Sequence, residues 1–169
     1  MIARHIWLLL PIALVGCGKD AVVIDQVFTP AGTVVVGNAV RVEASRIERP
    51  VSDAAAEQLS NYKQLSEPIP VNASLATKLV KALTDPNTYS YLSDDKACLF
   101  NPGVRITFED DRGESLDVLF CFECDVIAVY RDDKCVGGED CDDGRAGLLD
   151  IMKQIFPNDP AIHAISVDR

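Results

Sequence analysis

Two stretches in the second half of the chain alternate between apolar and polar residues. The apolar positions are Val104, Ile106 and Phe108 in the first stretch, and Leu116, Val118, Phe120 and Phe122 in the second. Because a period of two places alternate side chains on one face of a strand, each stretch predicts a half-buried β-strand. Residues 110–113 between them are typical turn residues, so the two strands are expected to form an antiparallel hairpin. Leu119 and Cys121 make the other face of the second strand apolar too, which predicts a central strand covered on both sides.

A third strand and one short helix are predicted in the first half of the chain. Residues 33–47 are rich in valine, and Val40 and Val42 alternate with charged residues, which indicates another half-buried strand. Residues 53–65 form a short helix in this interpretation, with Ala55, Leu59 and Tyr62 on one face.

Two clearer helices have apolar residues at helical spacing. These residues are Leu75, Leu79, Val80 and Leu83 within residues 72–85, and Leu148, Met152, Ile155 and Phe156 within residues 145–156. Between the hairpin and the last helix, the polar sequence after Tyr130 is expected to be a loop. The order of elements predicts an α+β fold with a mainly antiparallel sheet, a central hairpin and two helices packed on it.

The first 16 residues have the pattern of a signal peptide. A charged start at Arg4 and His5 precedes an apolar run over residues 6–15, which is too short for a transmembrane helix of about 20 residues. The sequence LVGC at residues 14–17 resembles the lipobox of bacterial lipoproteins. The resemblance implies cleavage before Cys17 and attachment of a diacylglycerol to its sulfur.

This interpretation divides the chain into three parts. Residues 1–16 are the signal peptide, residues 17–32 are the lipidated N-terminus and an irregular tether, and residues 33–169 are a single α+β domain. In lipoproteins the residue after the lipidated cysteine influences sorting, and here it is Gly18 rather than aspartate. The resemblance therefore implies a lipid anchor in the bacterial cell envelope, in the outer membrane and facing the periplasm where the host uses that sorting rule.

The charge of the chain limits its partners. There are 16 Lys and Arg against 26 Asp and Glu, a formal net charge of −10. Nucleic acids and anionic lipids bind clustered basic residues, so neither is expected as a partner. Membrane attachment is instead expected from the acyl chains on Cys17, and any further partner is expected to be an envelope protein.

Disulfides are expected because an exported chain meets an oxidising compartment. If Phe108 faces Leu116 across the hairpin, Cys98 lies diagonally from Cys124 on the same face, near the limit of disulfide reach. A shift of one residue would favour a bond between Cys98 and Cys121 instead. The sequence therefore predicts that Cys98 is bonded to Cys124 or to Cys121. This disulfide would stabilise the sheet by linking its two central strands.

A second disulfide is predicted between Cys135 and Cys141. Five residues separate them, and two of these are glycines that would let a small loop close. The stabilisation from so short a loop would be modest.

Thiol chemistry is the alternative for Cys98, Cys121 and Cys124. A redox C-x-x-C motif belongs at a helix N-terminus, which lowers a thiol pKa, whereas Cys121 and Cys124 lie in a predicted strand. A zinc site needs four ligands, and the chain after the signal peptide has one histidine, His163. These three cysteines nevertheless define an alternative function as an envelope thiol-redox or metal-binding protein.

The acidic loop near residue 140 has two interpretations. Asp140, Asp142 and Asp143 are oxygen ligands of the kind that calcium prefers, so weak divalent-cation binding is one. A solvated acidic turn is the other, because Cys141 stands where a calcium-binding loop needs an oxygen.

No catalytic residue or cofactor is assigned from the sequence. It lacks the zinc-protease, nucleophile-elbow, phosphate-loop and dinucleotide-binding motifs. Residues 98–156, with C-x-F-x-P-G, then C-F-x-C and a leucine-rich helix ending in F-P, are similar to uncharacterised bacterial exported proteins, a resemblance that implies no activity. The sequence therefore predicts a membrane-anchored envelope lipoprotein that acts as an interaction or binding module stabilised by disulfides.

Overall fold

The computed structural model describes residues 19–90, 96 and 98–167 of the chain. Its helices are α1 (Lys19–Gly37), α2 (Asp53–Ala56), α3 (Ala73–Leu83), α4 (Arg145–Ile155) and α5 (Pro160–His163). Its strands are β1 (Ala39–Glu48), β2 (Lys63–Gln64), β3 (Ile69–Pro70), β4 (Val104–Asp110), β5 (Ser115–Cys121), β6 (Val126–Arg131) and β7 (Lys134–Asp140).

The seven strands form one antiparallel sheet with helices packed against it. The strand order is β2-β1-β4-β5-β6-β7, and β3 also pairs with β1. The predicted α+β class and the mainly antiparallel sheet are therefore confirmed. Strands β4 to β7 are consecutive in the chain and in the sheet, so this half of the sheet is a meander.

The central hairpin has the predicted register. Phe108 of β4 is opposite Leu116 of β5. The turn between the strands is held by the Asp110 carboxylate, whose Oδ1 accepts the backbone N–H groups of Arg112 at 2.9 Å and Glu114 at 3.0 Å. The hairpin is thus fixed by both its apolar pattern and its turn.

Strand β5 is buried on both faces, as predicted. Leu116, Val118 and Phe120 face the main core, which also contains buried residues of α1, α3 and α4. Leu119 faces a smaller cluster on the opposite side of the sheet. The other buried members of that cluster are Ile47, Leu59, Tyr62 and Tyr130.

The N-terminal helix α1 corrects the prediction of an irregular tether. From Lys19 onward the chain is helical to Gly37, with a break at Thr29, where φ is +62° and Pro30 follows. Ile24, Val27 and Phe28 are buried in the main core. The strand predicted to start at residue 33 is also wrong at its N-terminal end, because β1 begins at Ala39. Burial in the core outweighs the strand preference of the valines here.

The predicted strand that contains Cys121 and Cys124 is in fact interrupted between these two residues. Strand β5 ends at Cys121, residues 122–125 form a turn, and β6 begins at Val126. Asp125 in the turn has a φ of +56°, which aspartate tolerates better than most residues. Cys121 therefore ends a strand, while Cys124 lies in a turn.

Both clearer helices are confirmed, and the weak one is shorter than predicted. The Asn72 side chain caps α3 by accepting the N–H of Leu75 at 3.0 Å. Helix α4 covers most of the second predicted segment. The predicted helix over residues 53–65 is limited to α2 and a 3₁₀ turn at Leu59–Asn61, and Lys63 is already in β2.

The polar segment after Tyr130 is a strand and not a loop. Asp132 and Asp133 have φ values of +49° and +68° and form the two-residue turn between β6 and β7. Gly137 of β7 lies against α1 so closely that a Cβ there would be 2.2 Å from the carbonyl oxygen of Val27. Glycine is therefore required for the helix to pack on this edge strand.

Candidate ligand cleft beside the disulfide

The disulfide lies at one end of the sheet. Cys98 is bonded to Cys124, one of the two predicted pairings, with a Cα–Cα distance of 5.7 Å. Cys98 belongs to the segment that leads into β4, and Cys124 belongs to the turn between β5 and β6. The bond therefore joins two loops at the same end of the hairpin.

Cys121, the third cysteine of this region, is a buried free thiol. Its Sγ accepts the backbone N–H of Asn101 at 3.2 Å. Cys98 and Cys124 are not available as thiolate ligands in this structure, because they are bonded to each other. Within the part of the chain that the structure describes, no group of three or more His, Cys, Asp or Glu residues could hold a metal ion.

The predicted bond between Cys135 and Cys141 is absent, and both cysteines are free. Cys135 lies near the start of β7 and Cys141 directly follows its last residue. A strand rises about 3.3 Å per residue, so even with the irregular pairing between Cys135 and Gly137 the two Cα atoms are roughly 15 Å apart or more, beyond the reach of a disulfide. Cys135 is exposed, whereas burial raises the pKa of the Cys141 thiol to about 12.

The ammonium group of Lys96 lies between Asp140 and Asp142, two of the three predicted calcium ligands. Lys96 Nζ is 3.3 Å from Asp140 and 2.6 Å from Asp142, and it donates to the carbonyl oxygen of Cys124 at 2.7 Å. Burial alone would lower the pKa of Lys96, but hydrogen bonds to Asp142 and Asp140 outweigh it and raise the pKa. Asp143 donates its backbone N–H to Ser90 Oγ at 3.3 Å. This arrangement is an ion-pair cluster.

A cleft of about 530 Å³ lies beside the disulfide, and we call it the arginine cleft. It lies between the ends of β1, β4 and β5 on one side and α5 with the C-terminal segment on the other. Its lining residues are Arg46, Ile47, Glu48, Leu65, Asn101, Pro102, Gly103, Val104, Phe120, Phe122, Glu123, Arg145, Ala161, Ile162, Ile165 and Ser166. The volume is within the range of small-molecule and peptide side-chain pockets.

Arg46 lies on β1 at one wall of the cleft. Its Nε donates to the carbonyl oxygen of Gly103 at 2.7 Å, and its Nη1 is paired with the carboxylate of Asp159. Asp159 also accepts the N–H groups of Ala161 at 2.9 Å and Ile162 at 3.1 Å. Burial opposes ionisation of Asp159, but the N–H groups and the guanidinium outweigh it and lower its pKa.

Arg145, the first residue of α4, also lines the cleft and is buried. Its Nη1 donates to the carbonyl oxygen of Phe122 at 2.6 Å and is paired with Asp125, and its Nη2 donates to the carbonyl oxygen of Ser166 at 2.8 Å. Its Nε is buried without a hydrogen-bond partner. The guanidinium thus joins the β5–β6 turn to the C-terminal segment and keeps one unpaired donor.

One part of the cleft lining is apolar, whereas Glu48 and Glu123 add carboxylates to it. The rings of Phe120 and Phe122 are stacked, with centroids 6.1 Å apart and planes at 17°. Ile162 and Ile165 lie on the side formed by the C-terminal segment. The cleft therefore combines guanidinium donors with an apolar surface, which is the composition typical of ligand sites.

The sequence pattern did not reveal the residues of this cleft. Arg46 occurs in a strand of alternating residues and Arg145 at the start of an amphipathic helix, where both would ordinarily face solvent. Only tertiary structure brings them together with Asp159. The one available signal was the cysteine pattern, since the disulfide that it predicts joins two walls of the cleft.

Comparisons with known proteins give no match. No family model, curated protein or solved structure matches the chain. Cys17, the predicted lipidation site, lies outside the described residues. Among the residues that the structure describes, no helix is long and apolar enough to cross a membrane.

Proposed function

We propose that this protein is a lipid-anchored bacterial cell-envelope protein, attached through Cys17, that binds a ligand in the arginine cleft. The observation that carries the binding role is the cleft itself. It has a volume of about 530 Å³ and contains two arginines and two stacked phenylalanines. An apolar pocket with a few convergent polar groups is the arrangement expected of a binding site.

The position of α1 supports close attachment to a membrane. The helix begins at Lys19, two residues after Cys17, and its residues Ile24 and Phe28 are already part of the main core. An anchor on Cys17 would therefore hold the folded domain near the bilayer surface. The net charge of −10 would repel anionic lipids, so the acyl chains would supply the attachment.

The disulfide supports the cleft as a preformed site. It joins the loop that precedes Asn101, Pro102 and Gly103 to the turn that contains Phe122, and all four residues line the cleft. Holding two walls in place before binding reduces the entropy lost on association.

The lipid anchor is tested by fatty-acid labelling in an exporting bacterial host. We expect the wild type and a Cys135→Ser control to incorporate labelled fatty acid and to fractionate with membranes. Cys17→Ser should lose the label and leave the membrane fraction. Labelling of Cys17→Ser at wild-type level would contradict the proposed anchor.

The cleft is tested with a variant that fills it. A Cβ at Gly103 would meet only Arg46 Nη2, at 3.6 Å, so Gly103→Leu adds a side chain there without backbone strain. We would screen a library of short peptides and small metabolites by amide chemical-shift changes. Ligands should shift the cleft residues in the wild type and in a Gly147→Ala control, and should fail to bind Gly103→Leu.

Two results would contradict a binding role for the cleft. One is a library in which no compound shifts the cleft residues at millimolar concentration. The other is a ligand whose affinity for Gly103→Leu equals that for the wild type.

A further inference from the structure

A second concave site lies between the end of α1, the start of β1 and helix α3, and we call it the valine groove. Its volume is about 680 Å³, which is larger than that of the arginine cleft. The valines that line it are Val36, Val40, Val42, Val71 and Val80. None of the described residues lines both sites, so the valine groove is separate from the arginine cleft.

Val40 leaves part of this apolar lining in contact with water. The pairing of β1 with β4 is irregular between Ala39 and Arg41, where Val40 lies. Such a bulge redirects a side chain, and Val40 is 69% exposed, whereas Val42 is buried. An aliphatic chain that covered Val40 would remove apolar surface from water, which is favourable.

Helix α3 and its last turn give the groove an apolar wall and a polar rim. Their lining residues form two neighbouring stripes at helical spacing, which are Ala73, Ala76 and Val80, and Thr77, Lys81 and Thr84. The hydroxyl groups of Thr77 and Thr84 donate to the carbonyl oxygens of Ala73 and Val80 at 2.9 Å and 2.8 Å. The Lys81 ammonium group is therefore the hydrogen-bond donor that this rim offers to a ligand.

Lys81 forms no ion pair within the part of the chain that the structure describes. The lysines that form ion pairs there are Lys63 and Lys96. Asp85, one turn beyond Lys81, instead accepts hydrogen bonds from the backbone N–H and the side-chain amide of Asn87 at 2.9 Å and 2.8 Å. The described lining of the groove also contains no acidic residue. The groove thus has an unpaired cation at its rim and no carboxylate in its lining.

This local charge matters more to a small ligand than the charge of the whole chain. The net charge of −10 opposes binding to an anionic bilayer, where many like charges act together. A single molecule in the groove meets Lys81 directly, while exposed carboxylates further away than about 8 Å are screened at physiological ionic strength. The valine groove therefore favours a ligand with one anionic head group.

The apolar lining indicates the chain to which the head group is attached. A fatty-acid chain has no polar group along its length, so valine and alanine side chains are sufficient to bind it. A peptide would bring N–H and C=O groups whose burial costs free energy unless each finds a hydrogen-bond partner. An aliphatic chain that ends in a carboxylate matches the groove better than a peptide does.

We propose that the valine groove binds a single fatty acid, with its chain against Val40 and Val80 and its carboxylate at Lys81. This is a second binding site, and it does not depend on a ligand in the arginine cleft. Lys81 recognises the head group, and the valines recognise the chain.

The test compares three probes that differ only in the head group. Decanoate, decanol and decylammonium are titrated below their micelle-forming concentrations, and amide chemical shifts report binding. The Cys17→Ser protein is used, because the detergent that an acylated protein requires would compete for the groove. Decanoate should bind about fivefold more tightly than decanol, since an exposed ion pair contributes modestly, and decylammonium should bind most weakly.

A matched pair of lysines on α3 assigns this preference. In Lys81→Gln the preference for decanoate over decanol should fall below about twofold. Lys78→Gln removes the same charge from the same helix but outside the groove lining, and should keep the preference. Both lysines are exposed, so both variants are expected to fold.

A matched pair of filled sites locates the chain. Gly37 lines the valine groove, and a Cβ there would meet nothing within 4 Å, so Gly37→Leu should weaken binding of all three probes at least about tenfold. Gly103→Leu, which fills the arginine cleft, should bind decanoate like the parent protein. Val40→Asp, at an exposed position, should weaken decanoate more than decanol.

Each contrary result overturns a defined part of the inference. Equal affinity for decanoate and decanol, or tighter binding of decylammonium, would overturn carboxylate recognition by Lys81. A peptide of the wider library that bound this groove more tightly than decanoate would overturn the fatty acid as ligand. Decanoate shifts that were absent, or confined to the arginine cleft, would overturn the valine groove as a site and leave the proposed function to its own test.

Discussion

Strands β5 and β7 belong to one sheet but are stabilised in different ways. Every residue of β5 except Ser115 is buried, and β5 lies between β4 and β6. β7 lies at the edge, and each of its residues is partly or fully exposed. The first strand is held by side chains on both faces, whereas the second depends on backbone pairing with β6.

The edge strand is also held by close backbone contact with α1. At Gly137 the helix carbonyl of Val27 lies where a side chain would otherwise be. The position of a strand can therefore depend on the absence of a side chain as well as on the burial of side chains. In β5 large apolar residues fill the space on each side, and in β7 a glycine leaves room for a neighbouring helix.

The largest expected contrast is between cysteines of the two regions. Cys98→Ser removes the bond at the end of the hairpin, which links residues 26 positions apart, and should lower the free energy of unfolding by about 3 to 4 kcal/mol. Cys135→Ser, on β7, should change it by less than about 0.5 kcal/mol, because the thiol is exposed and unbonded. Urea unfolding measures both.

Reduction provides the control for this contrast. With dithiothreitol the wild type should unfold like Cys98→Ser, and the variant itself should not change. If Cys135→Ser were as destabilising as Cys98→Ser, β7 would contain a bond that the structure lacks.

The same physical difference determines what the sequence could predict. In the hairpin, apolar alternation and the turn residues gave the register, so that Phe108 was correctly paired with Leu116. In residues 131–143 glycines and acidic residues carry no alternation, and this segment was wrongly predicted as a loop. Gly137 and Gly138 were taken to close a disulfide loop, but Gly137 serves packing with α1.

The arginine cleft was beyond prediction for a related reason. Its charged residues come from β1, α4 and the residue before α5, and no local pattern joins Arg46, Arg145 and Asp159. Local pattern reveals which face of an element is buried. It does not reveal which elements meet at the end of a sheet.

A matched pair of valines sharpens the comparison between the strands. Val118 of β5 is 0% exposed and Val136 of β7 is 38% exposed. Val118→Ala should lower the free energy of unfolding by about 2 to 3 kcal/mol through lost burial and a residual cavity. Val136→Ala should cost less than about 0.5 kcal/mol. Equal costs in chemical denaturation would show that β7 is more deeply covered than this structure indicates.

A matched pair of glycines tests the close contact of α1 with β7. Gly137→Ala should destabilise the protein by about 1 to 3 kcal/mol, because the added Cβ forces the helix away from the strand. Gly147→Ala, in α4 where nothing lies within 4 Å of the added Cβ, should stabilise it by about 0.5 to 1 kcal/mol. The two midpoints should therefore move in opposite directions. A neutral Gly137→Ala would contradict the packing described here.

The last contrast changes no stability and concerns the two thiols that flank β7. Cys135 is exposed and should react with iodoacetamide in the folded protein, whereas Cys141 is 2% exposed. Burial also raises the Cys141 pKa to about 12, so raising the pH to 9 should speed alkylation of Cys135 but leave Cys141 unreacted. Peptide mass spectrometry follows both thiols, and urea should expose Cys141. If both thiols were protected in the folded protein and released only by reduction, they would be bonded to each other. The glycines of β7 would then close a disulfide loop. This result would contradict the description of β7 as an extended edge strand that is held without a covalent bond.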